Sequence, residues 1–449
     1  MRSRFSTIIL LLATTVAVAA APHNASAAFG NYNSMLIGEN AAGLGGAFTA
    51  LYKDSSAVTF YNPAGLGFFD SLAASASASV YKKFDVKYGD LDQFTTASLR
   101  VNQGFFRGVP SASGSVFTNV LAERSHFTEV GQLLRTALGA EKINASFSIV
   151  VPDHDSFSGE IRSTASGVSL LTMVDESLWV GGGLGFRTSE REAYGLSLYY
   201  TARNYSRTVR ERLLAGGTDA TVMSEEKNIL GNSIVGILGY QWKTEDSSDE
   251  NEWRFGVSLR PPSLQISGTG SYFQSVLKTT PFSSTTVNRP NVTTLTEIPA
   301  KLTVGAAWIH RERLTVSFDV SLYDQTSYDD MTETDVQRDS IRHRRMFNFN
   351  LGTEAKLNPW LRVRLGAYSN FSSHPEPDAL PSTRQAESID QAGFSANLAI
   401  QSNENFRFTF GGYYTGGRGQ SVQVLDQTLT RVSKSQQVFT MLIGTAFTL

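Results

Sequence analysis

The sequence predicts an all-β protein: one transmembrane antiparallel β-barrel of about fourteen strands, with sixteen left open, whose N-terminal segment plugs the lumen. Three observations carry this reading. Apolar and polar residues alternate with a period of two from about residue 72 to the last residue, Leu449. No linker or composition break divides that stretch. Nowhere does it hold the long apolar run of a helical membrane span.

The chain opens with Arg2 and Arg4, an uncharged apolar run from Ile8 to Ala21, and Ala25-Ser26-Ala27. Basic start, short apolar core and A-x-A site are the parts of a secretory signal, so residues 1–27 read as a targeting segment. There is no cysteine. An exported chain of this kind must hold together by sheet and core. The net charge of -2 gives no basic excess for nucleic acid. Aromatics make up 11% of the chain, enough to furnish interfacial girdles.

Residues 28–70 are different in kind. Gly38 to Leu66 is small, glycine-rich and apolar. Gly43, Gly45 and Gly46 allow close backbone approach. Pro63 donates no hydrogen bond, and it pushes Asn62 towards extended geometry. Asn62, Pro63 and Ala64 therefore suit a tightly packed, irregular segment. Irregular backbone survives at membrane depth only inside protein or a watery cavity. A hatch inside the barrel is expected, with Phe48, Phe60 and Tyr61 against the ligand route.

The barrel is expected over residues 71–449. Ser71–Tyr88 and Phe94–Val101 read as strands. Val116, Val120, Phe127, Val130, Leu134 and Leu138 recur at helical spacing, so a long, partly helical loop is expected at about 104–140. Further strands follow at Ile143–Val151, closed by Pro152, then Ser166–Val174, Ser177–Phe186 and Ala193–Thr201. In Leu314–Leu322 the apolar residues Leu314, Val316, Phe318, Val320 and Leu322 share one face. Phe347–Gly352, Leu361–Gly366 and Phe406–Gly411 alternate in the same way. Long polar loops are read at Glu211–Glu226, Lys278–Glu297, Gln325–Arg342, His374–Ser388 and Gly416–Ser433. The last strand, Phe439–Leu449, looks like the C-terminal strand of an outer-membrane barrel, the segment that barrel assembly machinery reads.

If lipid lies outside, Asp319, Glu354, Arg362, Arg364 and Arg407 point inward, because a charge on the lipid face costs about 2–4 kcal/mol near the midplane. Arg362, Arg364 and Arg407 could form a basic patch for a carboxylate, partly neutralised by Asp319 and Glu354, with Lys53 next in line. The other reading is an internal ion network that holds the hatch. Pro152-Asp-His-Asp-Ser156 reads as the polar end of a strand. No nucleophile-elbow, phosphate-loop or zinc spacing is present, so neither enzyme nor metal nor cofactor is expected. The acidic runs Glu245–Glu252 and Asp329–Asp335 are read as solvated loop; the second possibility is divalent cations shared with lipopolysaccharide.

The run Gly38 to Phe48, the short turn Lys53-Asp54-Ser55-Ser56 and then Asn62-Pro63-Ala64-Gly65-Leu66 resemble the hatch of the FadL/TodX family of long-chain fatty acid and hydrocarbon transporters. Ile298–Gly305 and Leu361–Tyr368 also look like strands of that family. The resemblance implies a bacterial outer-membrane channel for passive uptake of long-chain fatty acids or similar hydrophobic molecules. It further implies rearrangement of the hatch and sideways exit through the wall. The alternative is a surface docking, shuttle or structural protein of the same fold without transport.

Overall fold

The computed structural model describes residues 30–449 apart from 89–97, 102–108, 119–135, 138, 164–166, 216–218, 245–249, 280–281, 337, 382–384 and 426–427. The expected targeting segment 1–27 lies outside the described residues. Fourteen strands form one closed barrel. They are β1 (Ala73–Tyr88), β2 in two pieces (Ser98–Val101 and Val109–Phe117), β3 (Lys142–Ser163), β4 (Gly167–Arg187), β5 (Glu192–Ala215) and β6 (Asp219–Lys243). Next come β7 in two pieces (Asn251–Arg260 and Leu264–Thr279) and β8 in two pieces (Phe282–Thr293 and Lys301–His310). The rest are β9 (Leu314–Tyr323), β10 (Met346–Asn358), β11 (Leu361–Asn370), β12 (Ser388–Gln401), β13 (Phe406–Leu425) and β14 (Thr428–Thr448). Neighbours pair antiparallel, and β1 meets β14 from Ala73↔Thr448 to Tyr88↔Lys434. Closure leaves no free edge, the condition for a sheet to stand in hydrocarbon.

The alternation faces as expected. Phe347 and Leu351 are each 50% exposed on the outer wall, while Asn348 between them is fully buried inside. Leu198, Phe318, Phe394, Phe408 and Phe410 share that outer band. Short turns such as 358–361 and 401–406 lie at the end where the chain enters β1, and the long ribbons lie at the other. Short turns mark the periplasmic side of such barrels and long loops the extracellular side.

Several expected boundaries are corrected. Pro152 does not close its strand. β3 runs through it for 22 residues, with a register shift between Val150 and Asp153. A bulge is where a strand tolerates a residue without an N–H. Pro152–Ser156 is therefore mid-strand rather than a strand end. The two strands expected at 166–174 and 177–186 are one, β4. Much of the ribbons expected as loops at Glu211–Glu226, Lys278–Glu297 and Gly416–Ser433 is strand. The reason is physical: beyond the bilayer the ladder of hydrogen bonds continues, but no lipid demands an apolar face. β6 has 25 residues, where about 9–11 cross a membrane. Within the loop expected at 104–140, Val109–Phe117 is half of β2 and pairs with β1 and β3; residues 119–135 lie outside the described residues.

Residues 30–72 sit inside the barrel. They hold two short helices, α1 (Glu39–Gly43) and α2 (Val58–Tyr61), and a 3-10 turn over Pro63–Phe68. Residues 35–51 are buried throughout. The wall makes room for them with glycine. Gly185, Gly195 and Gly239 are register partners across β4, β5 and β6. A Cβ on Gly195 would fall 2.2 Å from the Pro63 carbonyl carbon, and one on Gly239 would fall 2.1 Å from Asn62 Oδ1.

Candidate functional site

The inner segment is fixed by charge and amide contacts from all round the wall. Asn62 Nδ2 donates to the carbonyls of Thr49 (2.8 Å) and Tyr240 (3.0 Å), and its Oδ1 accepts from the Ala64 N–H at 3.1 Å. Pro63 follows as the first residue of the 3-10 turn, where a missing N–H costs nothing. Gly45 and Gly46 have φ of 63° and 83°, a left-handed turn that follows α1 and favours glycine. Asn350 Nδ2 donates to the Gly45 carbonyl at 2.6 Å, and Ser395 Oγ to the Gly43 carbonyl at 3.1 Å. Where the segment leaves for β1, Lys142 Nζ bonds Asp70 at 2.8 Å. That hydrogen bond holds the exposed Asp70 carboxyl below the usual carboxylate range.

The arginines expected to read a carboxylate are already matched. Arg362 and Arg364 share Glu354 at 2.9 and 2.5 Å. Arg407 bonds Glu39 of α1, and Thr409 Oγ1 donates to the other oxygen of that carboxylate at 2.8 Å. Arg407 thus ties α1 to the wall, while Arg362 and Arg364 pair with Glu354 within the wall. Asp319 does not neutralise them. Its Oδ2 accepts the N–H groups of Phe48 and Thr49, each at 2.9 Å. Lys53 is exposed, away from the lumen core. Phe48 is buried against Tyr61, ring centroids 5.9 Å apart.

A cavity of about 60 Å³ lies between this segment and the other side of the wall. Tyr32, Asn33, Met35, Phe60 and Tyr61 line it from within. Phe60 and Tyr61 line this cavity, and Phe48 stands one layer behind, against Tyr61. Pro152 and Asp153 of the β3 bulge, Trp179, Arg203, Arg260, Thr296, Ile298, Lys301 and Tyr323 line the wall side. Tyr32 stacks on Tyr323 with centroids 4.4 Å apart and planes 13° apart. Arg203 is matched by Asp175 through two bonds of 2.9 and 2.7 Å.

Arg260 and Lys301 are not matched. The Arg260 guanidinium lies 5.7 Å from the Trp179 ring centre and donates one long bond, 3.4 Å, to the Pro299 carbonyl. Its Nε meets no partner among the described residues. Lys301 Nζ lies 5.2 Å from the Tyr323 ring centre. Neither forms an ion pair among the described residues. One carboxylate, Asp153, faces the same cavity and accepts from Ser177 Oγ at 3.3 Å. The result is a small aromatic chamber with an excess of positive charge.

Sequence reasoning passed over this pair, yet the signal was there. Arg254, Gly256, Ser258 and Arg260 alternate with Phe255, Val257 and Leu259. Lys301, Thr303 and Gly305 alternate with Leu302 and Val304. Both strands break beside the pair, at Pro261-Pro262 and over residues 294–300. His154, read as a polar strand end, is instead a buried side chain 3.3 Å from Glu176.

No protein-family model matches the chain, and no curated protein does. Solved structures match in fold. A Pseudomonas aeruginosa FadL homologue gives a TM-score of 0.61 at 10% identity, over 93% of this chain and 99% of that one. The Ralstonia pickettii toluene transporter TbuX gives 0.57 at 14%, and the Pseudomonas putida toluene transporter TodX 0.57 at 13%, each over 92% of this chain and 98% of theirs. The shared fold is the closed fourteen-stranded barrel. A closed barrel with an outward apolar band is built to span a bacterial outer membrane.

Proposed function

We propose that this barrel, which has the fold of the FadL and TodX structures, is a passive outer-membrane channel for hydrophobic molecules that carry an anionic group, long-chain fatty acids among them. The observation that carries the reading is the unmatched pair of buried Arg260 and half-buried Lys301 in an aromatic chamber inside the lumen. A buried cation without a carboxylate is costly, and an anionic ligand relieves that cost. The aromatic rings beside it suit an apolar body. The fold supports transport of apolar solutes as a class. The chamber is small: an engineered cavity of about 150 Å³ just holds benzene. A long chain therefore needs the inner segment to move. In this reading residues 28–70 act as a hatch, and solute leaves sideways where the wall is irregular beside the chamber.

Uptake of labelled oleate and of an uncharged alkane into proteoliposomes tests this. The wild-type protein should speed both. Replacing Arg260 and Lys301 by Met should reduce oleate uptake by about tenfold or more, given roughly 1.5–3 kcal/mol for charge-assisted bonds, and leave the alkane unchanged. Liposomes that take up both solutes equally with and without the protein would overturn the channel reading.

A further inference from the structure

Strands β9 and β10 do not end in a simple loop. The chain continues as a separate hairpin, Thr326–Asp329 paired with Ser340–His343. This hairpin leaves the wall and reaches across the extracellular mouth. Its tip shows where it lands. Met331 is fully buried among Tyr205 of β5, Ile229 of β6, Tyr272 of β7 and Val292 of β8. Met331 also bridges to Thr294, and the Leu295 N–H donates to the Asp330 carbonyl at 3.2 Å. The tip thus reaches from β9 and β10 past the neighbouring β8 and β7 to β6 and β5, which is four strands from β9 and five from β10.

Charge fastens it there. Lys227 of β6, fully buried, bonds Asp330 at 2.7 Å and Asp339 at 3.0 Å. Arg207 of β5 bonds Asp339 at 2.8 Å and Glu225 at 2.7 Å. The Asp339 N–H donates to Asp330 Oδ1 at 2.9 Å, so both carboxylates are held in one arrangement. One foot of the hairpin lines the chamber and the other contacts a residue that does. Tyr323, at the end of β9, lines it. His343, at the other foot, meets the hydroxyl of Tyr32 at 3.2 Å.

Apolar packing alone would hold such a hairpin at lower desolvation cost. Buried ion pairs hold well only in one geometry, and their partners hydrate readily once apart. A buried latch of two carboxylates and two cations therefore fits an element with two positions better than a fixed brace. We propose that residues 324–345 form a lid over the chamber, latched by Lys227 and Arg207 on Asp330 and Asp339, and that its release admits solute from outside. The inference rests on the channel reading for its purpose, but not for its test.

The chain has no native cysteine, so two experiments are clean in the full-length protein. The bridge partners can be joined as Thr294→Cys with Met331→Cys. Oxidation should cut oleate uptake by about tenfold or more and reduction restore it, because a covalent tie removes the open position altogether. Equal uptake in both states would overturn the lid. Separately, Met331→Cys alone can be probed with a membrane-impermeant maleimide. Adding Asp330→Asn and Asp339→Asn should raise its labelling rate by about tenfold or more, since a broken buried pair strongly destabilises the closed position. An unchanged rate in a protein that still shows heat-modifiable barrel mobility would overturn the latch. If no form passes any solute, the channel reading fails, while the labelling rates still decide whether the hairpin opens.

Discussion

Arg362, Arg364 and Arg407 on one side of the lumen, and Arg260 and Lys301 on the other, are the same kind of residue on the same face of the same sheet. Their surroundings differ. The first group meets Glu354 and Glu39 at bonding distance. The second meets ring faces and one carbonyl. Glu39 comes from the inner segment, so Arg407 ties plug to wall, while Arg362 and Arg364 are neutralised within the wall. No carboxylate of the plug reaches the second. Counting cations on an inner wall therefore does not locate a ligand site. The count of carboxylates that reach them does, and it separates a fastening from a vacancy in charge.

The largest effect should come from breaking the fastening. Glu39→Ala leaves the half-buried Arg407 without its carboxylate, a loss of at most about 3–5 kcal/mol, the range for removing one partner of a fully buried pair. The inner segment should undock, and planar-bilayer recordings should show a larger, less selective conductance. Deleting residues 29–64 sets the upper limit. If Glu39→Ala conducts like the wild type, Arg407 is not the fastening. A smaller effect sharpens the contrast. Arg364→Gln keeps donors but removes the charge that Glu354 meets inside the wall, so it should change oleate and alkane uptake together, and by less than Glu39→Ala. The pair Arg260 and Lys301 should instead separate the two solutes. Equal behaviour of the two groups in that assay would erase the distinction drawn above.

The sequence made the membrane-facing half of this molecule legible and hid much of the rest. Phe347, Phe349 and Leu351 alternate with Asn348 and Asn350 because lipid sits on one side. Where β5 and β6 rise beyond the bilayer, that demand ends and the pattern with it, so strand was read as loop. The Asn62-Pro63-Ala64 segment was legible because its residue types allow few backbones. Its seat was not, since Gly185, Gly195 and Gly239 become neighbours only through register. Inward direction was legible for Arg362, Arg364 and Arg407. Their partners were only half so: Glu354 is one strand away, but Glu39 lies 368 residues from Arg407. The lid was read as solvated acid because nothing local links Asp330 to Lys227, 103 residues earlier.

The smallest expected effect concerns the outer end of the inner segment, which neither group of cations touches. The Gly30 carbonyl accepts from the Ser373 N–H at 2.6 Å, and Asn31 Nδ2 donates to the Asn370 carbonyl at 2.6 Å. His374 packs against this tail: a Cβ on Gly30 would fall 2.6 Å from its Nδ1. The imidazole is buried, with His343 at 4.9 Å between ring centres and the Glu387 carbonyl 3.0 Å from Nδ1. With Nδ1–H donating to that carbonyl, Nε2 carries the lone pair and meets no partner among the described residues. Burial lowers the pKa of His374 from its ordinary 6.5, and the Glu387 carbonyl and carboxylate only partly offset this. The Glu387 carboxylate itself is held by Lys434 at 2.5 Å. The sign follows from which state takes up the proton. Above pH 6.5 the ring is neutral whether the tail is docked or free, and docking is at full strength. As pH falls below that value the free state binds a proton first, so docking weakens until the lowered pKa of the docked state is reached. Hydrogen exchange over residues 30–34 should therefore be slow at pH 7.5 and faster at pH 5, beyond the intrinsic change of rate with pH. His374→Phe should flatten that dependence while keeping the contact with Gly30. If exchange at this tail follows the intrinsic rate alone in both proteins, the tail is held by the amides of Asn31 and Ser373, and His374 adds packing without charge.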